Sequence, residues 1–161
     1  MNIAKIRELL AYDPETGRFT WLVSAGSVKV GDEASSTTTA GYGRVKLEGV
    51  YYSLHRLAWA FVHGEFPESD LDHENLVKSD NRISNLRLAT KAENQMNRGL
   101  FKNNTSGCKG VTWNATRGKW SVRCAANGKR KHLGYFDDVA SATLVYKQHA
   151  PSIHGAFYQE V

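Results

Sequence analysis

Apolar residues at Ile3, Ile6, Leu9 and Leu10 have the spacing of one helical stripe and predict an amphipathic helix over residues 3–12. "DPETG" is a turn by its Pro and Gly, and "RFTWLV" after it alternates as a strand does. Residues 24–43 are rich in Ser, Thr and Gly and read as loop. "YGRVKLEGVYYSLHRLAWAFV" predicts a hairpin turning at Glu48-Gly49 and leading into a helix near 55–63, which "HGEFPESD" breaks. Leu71 to His73 is a short strand, residues 74–84 are a polar loop, and Leu86 and Leu88 flank Arg87 in a second strand. Thr90 and Glu93 have the spacing of a capping box and start a helix expected to run from Lys91 to Gly99. The local order is strand, loop, strand, helix.

Beyond residue 100 the pattern changes. "LFKNNTSG" is polar and carries turn signals, so residues 101–107 read as a linker between domains at 1–100 and 108–161. "KGVTW", "KWSVRCA" and "RKHLGYF" predict three strands separated by "NATRG" and by Asn127-Gly128, a strong hairpin signal. Asp137-Asp138 then opens a helix over 138–150 with Val139, Ala142, Thr143, Tyr146 and Ala150 on its buried stripe. Alternation places Trp120, Val122 and Cys124 on one face of the sheet, together with Leu133 and Tyr135. Lys119, Ser121, Arg123, Arg130 and His132 would lie on the other. The class is α+β: a mixed first domain, then three antiparallel strands packed on one helix.

Composition narrows the function. With 41% apolar and 23% charged residues in 161, the chain is globular and not a disordered tail. No apolar run reaches the ~18 residues of a membrane span, and the N-terminus lacks a signal peptide's apolar core. Cys108 and Cys124 are too few for a disulfide framework or a Cys-based zinc site, so a reducing cytoplasm is the expected location. The net charge of +5 is uneven: residues 101–161 hold nine Lys/Arg against three Asp/Glu, and the rest is near neutral. A basic C-terminal third points to a polyanion, with a merely solvated basic face as the plain alternative.

Asn75, Asn81, Asn85, Asn94 and Asn97 crowd the stretch from 71 to 99. Asparagine suits turns, but it also offers an uncharged oxygen to a hard cation. Phosphodiester hydrolysis needs a base to activate water and a cation at the phosphate. Mg²⁺ takes only one or two protein oxygens and fills its shell with water and substrate. Asp72 can supply a carboxylate, Asn94 an amide oxygen and His73 the base. Neighbours on a regular strand point to opposite faces, so Asp72 and His73 converge only at a strand end or a distortion.

"LDHENLVKSDNRISNLRLATKAENQMN" resembles the HNH endonucleases of the phage homing type, whose third signature residue is Asn. The signature falls on His73, Asn85 and Asn94, and "YYSLHRLAWAFVHGEFP" resembles the segment that precedes it in such proteins. The resemblance implies a ββα-metal fold over roughly residues 5 to 100. It makes His73 the general base and Asn85 the brace of loop and base. Asp72 and Asn94 become ligands of one Mg²⁺ or Mn²⁺, with Asn94 preferred over Asn97 on spacing; no zinc is implied. His55 reads as a packing or hydrogen-bonding residue, and His63 carries little signal.

Residues 107 to about 158 resemble an AP2-type DNA-binding domain through "KGVTW", "GKWSVR", "HLGYFDD" and "HGAF". That resemblance makes Lys109, Thr112, Asn114, Arg117, Lys119, Arg123, Arg130 and His132 the DNA-facing set. Thr112 and Asn114 replace basic residues of the plant-type pattern, and His132 stands at a Trp position, so base preference does not transfer. The expected function is a metal-dependent endonuclease on double-stranded DNA, nicking one strand per active site. No membrane and no obligatory protein partner are implied, and oligomeric state stays open. The alternatives are a non-catalytic regulator that keeps the HNH unit as scaffold, and a nuclease that selects DNA structure.

Overall fold

The computed structural model describes residues 1–126 and 129–158, and the chain divides into two compact units, Met1–Ala89 and Thr90–Val161. In the first, α1 (Ile3–Leu9) is capped by Asn2, whose side chain accepts from the Lys5 N–H at 2.9 Å. The helix ends earlier than its apolar spacing predicts. Leu10–Tyr12 instead forms β1, antiparallel to β2 (Phe19–Trp21). Leu10 is 1% exposed there and Tyr12 sits 4.7 Å from the Phe19 ring, so packing against the partner strand outweighs helical continuation.

β3 (Ser36–Thr37), β4 (Gly43–Leu47) and β5 (Val50–Ser53) make an antiparallel sheet, with β3 arising inside the expected loop. Two exposed polar residues leave no periodic signal, which is why the pattern did not show that strand. Glu48 and Gly49 both have positive φ, 46° and 85°, as the tightest hairpin turns require. β5 passes directly into α2 (Leu54–His63), which Gly64 closes in the left-handed conformation. Ile6, Leu10, Phe19, Val45, Leu54 and Leu57 form the core. Each such side chain contributes about 1.5–3 kcal/mol by leaving water. Arg56 on α2 donates to the carbonyls of Pro67 (2.6 Å) and Ser69 (3.2 Å) and so fixes the entry to β6 (Asp70–His73). β6 pairs antiparallel with β7 (Leu86–Ala89).

The second unit begins with α3 (Lys91–Met96), and both bonds of the Thr90–Glu93 capping box are present, at 3.3 and 2.7 Å. The helix stops at Met96, short of the expected Gly99, with Asn97 at its C-cap. β8 (Val111–Asn114), β9 (Lys119–Ala126) and β10 (Lys129–Phe136) form an antiparallel sheet in the order β10-β9-β8. The expected Asn127-Gly128 turn lies outside the described residues. α4 (Val139–His154) is capped by the Asp138 carboxylate and covers one face. It runs past the expected residue 150 because Ala142, Tyr146, Ala150 and His154 are buried at four-residue steps. Cys108 and Cys124 are free thiols within this apolar cluster, beside Val111 and Val122.

One expectation about the sheet is overturned. Tyr135 does not share the apolar face with Leu133. The β9–β10 register shifts between His132 and Gly134, so Leu133 is an extra residue without a partner, and Tyr135 lies opposite Ser121. The shift leaves Leu133 on the core side and turns Tyr135 to the outer face.

Gly17, at φ 73°, ties the 13–17 turn to the loop between β6 and β7. A Cβ there would lie 2.5 Å from the Arg82 nitrogen and 2.6 Å from the Asn81 carbonyl carbon. Gly17→Ala is expected to destabilise the protein by about 2–4 kcal/mol. Gly26→Ala, which has a similar φ and nothing within 4 Å, should cost only about 1 kcal/mol. Urea unfolding of the two variants gives the comparison.

Candidate active site

The turn after β6 is built by asparagine side chains. Asn85, 6% exposed, accepts from the Asn75 N–H at 3.0 Å through Oδ1 and donates to the Asp80 carbonyl at 2.8 Å through Nδ2. One side chain therefore replaces the missing backbone partners at both ends of the loop. Asn75 donates to the Asp80 carboxylate at 2.6 Å, and Arg82 forks onto the same carboxylate. Asn81 is buried, and its carbonyl accepts from the Tyr12 hydroxyl at 2.8 Å. The loop thus holds its shape through side chains.

His73, the last residue of β6, is 5% exposed. Its ring lies 5.3 Å from that of His55, on the first turn of α2, and 5.8 Å from that of Tyr42, just before β4. Tyr42 is held in turn by Lys78, whose ammonium lies 4.9 Å above its ring and donates to the Ala40 carbonyl at 2.9 Å. Burial pushes the His73 imidazole below its ordinary pKa, against the opposing pull of Asn81 and Asp72. His55 is pushed further, to about 4, first by burial and then by His73 and Arg56. Both rings are neutral near pH 7, the state a proton acceptor needs.

Asp72, the residue before His73 on β6, is 7% exposed. Its register partner Arg87 donates to Oδ2 twice, from Nε at 2.9 Å and from a terminal nitrogen at 2.7 Å. This pair orients the carboxylate. A hard divalent cation fits such a donor, since it needs few protein oxygens, though it would share Asp72 with a guanidinium. No group of three or more His, Cys, Asp and Glu side chains gathers around a common point among the described residues. Asn94 lies half-buried on α3, in the second unit, and Asn97 there is closed in at 1% exposure.

In the second unit, the face of the sheet away from α4 collects most of the residues expected to meet DNA. Thr112 lies opposite Ser121, Asn114 opposite Lys119, Arg123 opposite His132, and Arg130 opposite Ala125. Arg117, in the β8–β9 turn, places its guanidinium 4.8 Å above the Tyr135 ring, and His132 lies 4.5 Å from the same ring. Lys119 is paired with Asp137 at 2.8 Å on the surface. Lys109 is set apart: it precedes β8, is half-buried, and donates to the Met96 carbonyl at 3.2 Å.

Sequence reasoning missed the roles of three members of these groups. His55 and Tyr42 come to His73 from other elements, and only the density of aromatics in "YYSLHR" hints at it. Tyr135 was hidden by the bulge.

Residues 52–96, which span His55 through Asn94, match the model of the HNH endonuclease family. Protein 3.8 of Escherichia phage T7 is 31% identical over 104 residues, covering 64% of this chain and 85% of that protein. The chain belongs to the same family as that phage protein and carries an HNH endonuclease domain. Among solved structures it is similar to one described as DNA binding and cleavage by the HNH homing endonuclease I-HmuI. That similarity has 23% identity and a TM-score of 0.44, over 82% of this chain and 75% of the other.

Two tests follow from the loop. Asn85→Ala removes a part-buried acceptor and donor together and is expected to cost about 1–3 kcal/mol in chemical denaturation. Arg82 and Asn75 hold the Asp80 carboxyl near pKa 2, below the ordinary 3.8. A lowered carboxyl stabilises the fold fully above its unfolded pKa and loses that contribution as pH falls through the folded one. The stability difference between wild type and Asp80→Asn should therefore be full above about pH 4 and vanish toward pH 2, as a pH series of unfolding curves would show.

Proposed function

We propose that the protein is a metal-dependent DNA endonuclease of the homing type that nicks one strand per active site. The observation that carries this reading is a buried neutral His73 at the end of β6, adjacent in sequence to the buried, Arg87-bound Asp72 carboxylate, inside the segment matched by the HNH endonuclease model. His73 takes a proton from the water that attacks phosphorus. Its ring is held for this by Tyr42 and His55, and its loop by Asn85. Asp72 offers a divalent metal, Mg²⁺ or Mn²⁺, its carboxylate, and the sequence spacing assigns a second oxygen to Asn94. When bound, that ion neutralises charge developing on the phosphate and on the leaving oxygen.

The second unit supplies the hold on DNA. Asn114, Arg117, Lys119, Arg123, Arg130 and His132, with Thr112, lie on one face of its sheet or the adjoining turn, which supports the AP2-type reading. Lysines and arginines there meet phosphates, and Arg can also read guanine in the major groove. The regulator reading has one observation in its favour, because Arg87 already engages Oδ2 of Asp72.

Supercoiled plasmid incubated with Mg²⁺, Mn²⁺ or EDTA separates the two readings. Metal-dependent conversion to nicked circle is expected, with His73→Ala slower by about 10²–10⁴ and unchanged in DNA affinity. A His73→Ala variant that nicks at the wild-type rate would remove the assignment. Arg117→Ala and Lys119→Ala should each lower the slope of log affinity against log salt by about 1. Wild-type slopes in both would take the sheet off the DNA.

A further inference from the structure

One end of the C-terminal sheet is not an open face but one wall of a cleft. α3 and the segment after it supply the other wall, and the space has a volume of about 480 Å³. That lies within the roughly 300–1,000 Å³ of small-ligand sites and is far too small for a duplex. Lys109, Arg123, Arg130 and Arg98 line the cleft, and no Asp or Glu does among the described residues. Neither Lys109, Arg123 nor Arg130 has a carboxylate within ion-pair distance among those residues. Like charges gathered without a counter-charge are costly and mark a place for an anion. Lys109 reinforces this, since its ammonium is half-buried with the Met96 carbonyl as its recorded acceptor, and burial pulls its pKa down.

The remaining lining says what kind of anion. Phe101 is 60% exposed at the cleft with the Arg98 guanidinium 4.2 Å from its ring centre. Met96 and Leu100 add apolar surface, while Gln95 and Thr112 offer an amide and a hydroxyl. An inorganic ion would use the cations and leave that surface idle. A flat, hydrogen-bonding ring attached to a phosphate uses both, because bases stack on aromatic and guanidinium planes.

We propose that this cleft binds a single nucleotide unit, with phosphate on Lys109, Arg123 and Arg130 and the base against Phe101 and Met96. The unit is either a free nucleotide or one nucleotide of an unpaired strand. The inference rests in part on the DNA-facing reading of this sheet but divides it: Lys119, Asn114 and Arg117 serve a duplex, whereas the cleft takes one nucleotide.

The full chain is titrated with a deoxynucleoside monophosphate, with inorganic phosphate, and with a fluorescent single-stranded oligonucleotide, and its plasmid nicking is followed in parallel. The nucleotide is expected to bind at least tenfold more tightly than inorganic phosphate. Arg123→Ala and Arg130→Ala, both at exposed positions, should each weaken nucleotide binding about tenfold, with less than twofold change for Lys119→Ala. Displacement of the oligonucleotide by the monophosphate identifies an unpaired strand as the source. Monophosphate binding without oligonucleotide binding identifies a free nucleotide. Equal affinity for phosphate and nucleotide, or equal loss in the Lys119 and Arg123 variants, overturns the proposal. Nucleotide binding lost while nicking persists removes the cleft alone; nicking absent while nucleotide binding persists removes the nuclease alone.

Discussion

The first unit depends on how a long polar loop between two short strands is kept in one shape. β6 and β7 share only four rungs, and their connection has few apolar side chains to bury. Closing such a loop costs entropy that backbone pairing of the strands does not offset alone. Asn85 meets that cost by satisfying Asn75 and Asp80 at once, and Asp80 collects Asn75 and Arg82 on its carboxylate. The loop leaves β6 at His73, so the same bonds that order it fix the direction of the imidazole. Asparagine is suited to this because it donates and accepts without adding a charge beside a histidine that must stay neutral.

A second constraint acts from behind. His73 is packed against Tyr42 and His55, which reach it from the residue before β4 and from α2. Arg56, next to His55, clamps the carbonyls of the turn that leads into β6. Two consecutive residues on α2 thereby set both the strand's entry and the ring at its exit. This is long-range packing, and it explains why the rigid part of the site is larger than its signature residues.

Much of this was legible in the sequence where the signal is local. The capping box at Thr90 and Glu93 formed as its spacing demands, the Glu48-Gly49 turn took positive φ at both residues, and strand, loop, strand, helix appeared in that order. Asn85 stood out only through the HNH resemblance, since an asparagine before a strand could equally cap or turn the chain. What was not legible depends on distant partners. β1 reads as helix until β2 is placed beside it. β3 has no pattern of its own. His55 read as a packing or hydrogen-bonding residue, but nothing in its neighbourhood names His73 as its partner. Tyr135 was assigned to the core because alternation was carried through a point where the strand gains a residue.

That extra residue separates length from surface in β10. The rungs before it pair Arg130 and His132 outward and the rungs after it pair Tyr135 outward, so the exposed set is fixed by partners on β9 and not by counting along the chain. Removing Leu133 would leave every one of those pairings in place and subtract only a side chain packed against the core. Relatives of this protein can therefore be expected to differ in length at this one position of the strand. Elsewhere in β10 an insertion or deletion would exchange the solvent face for the core.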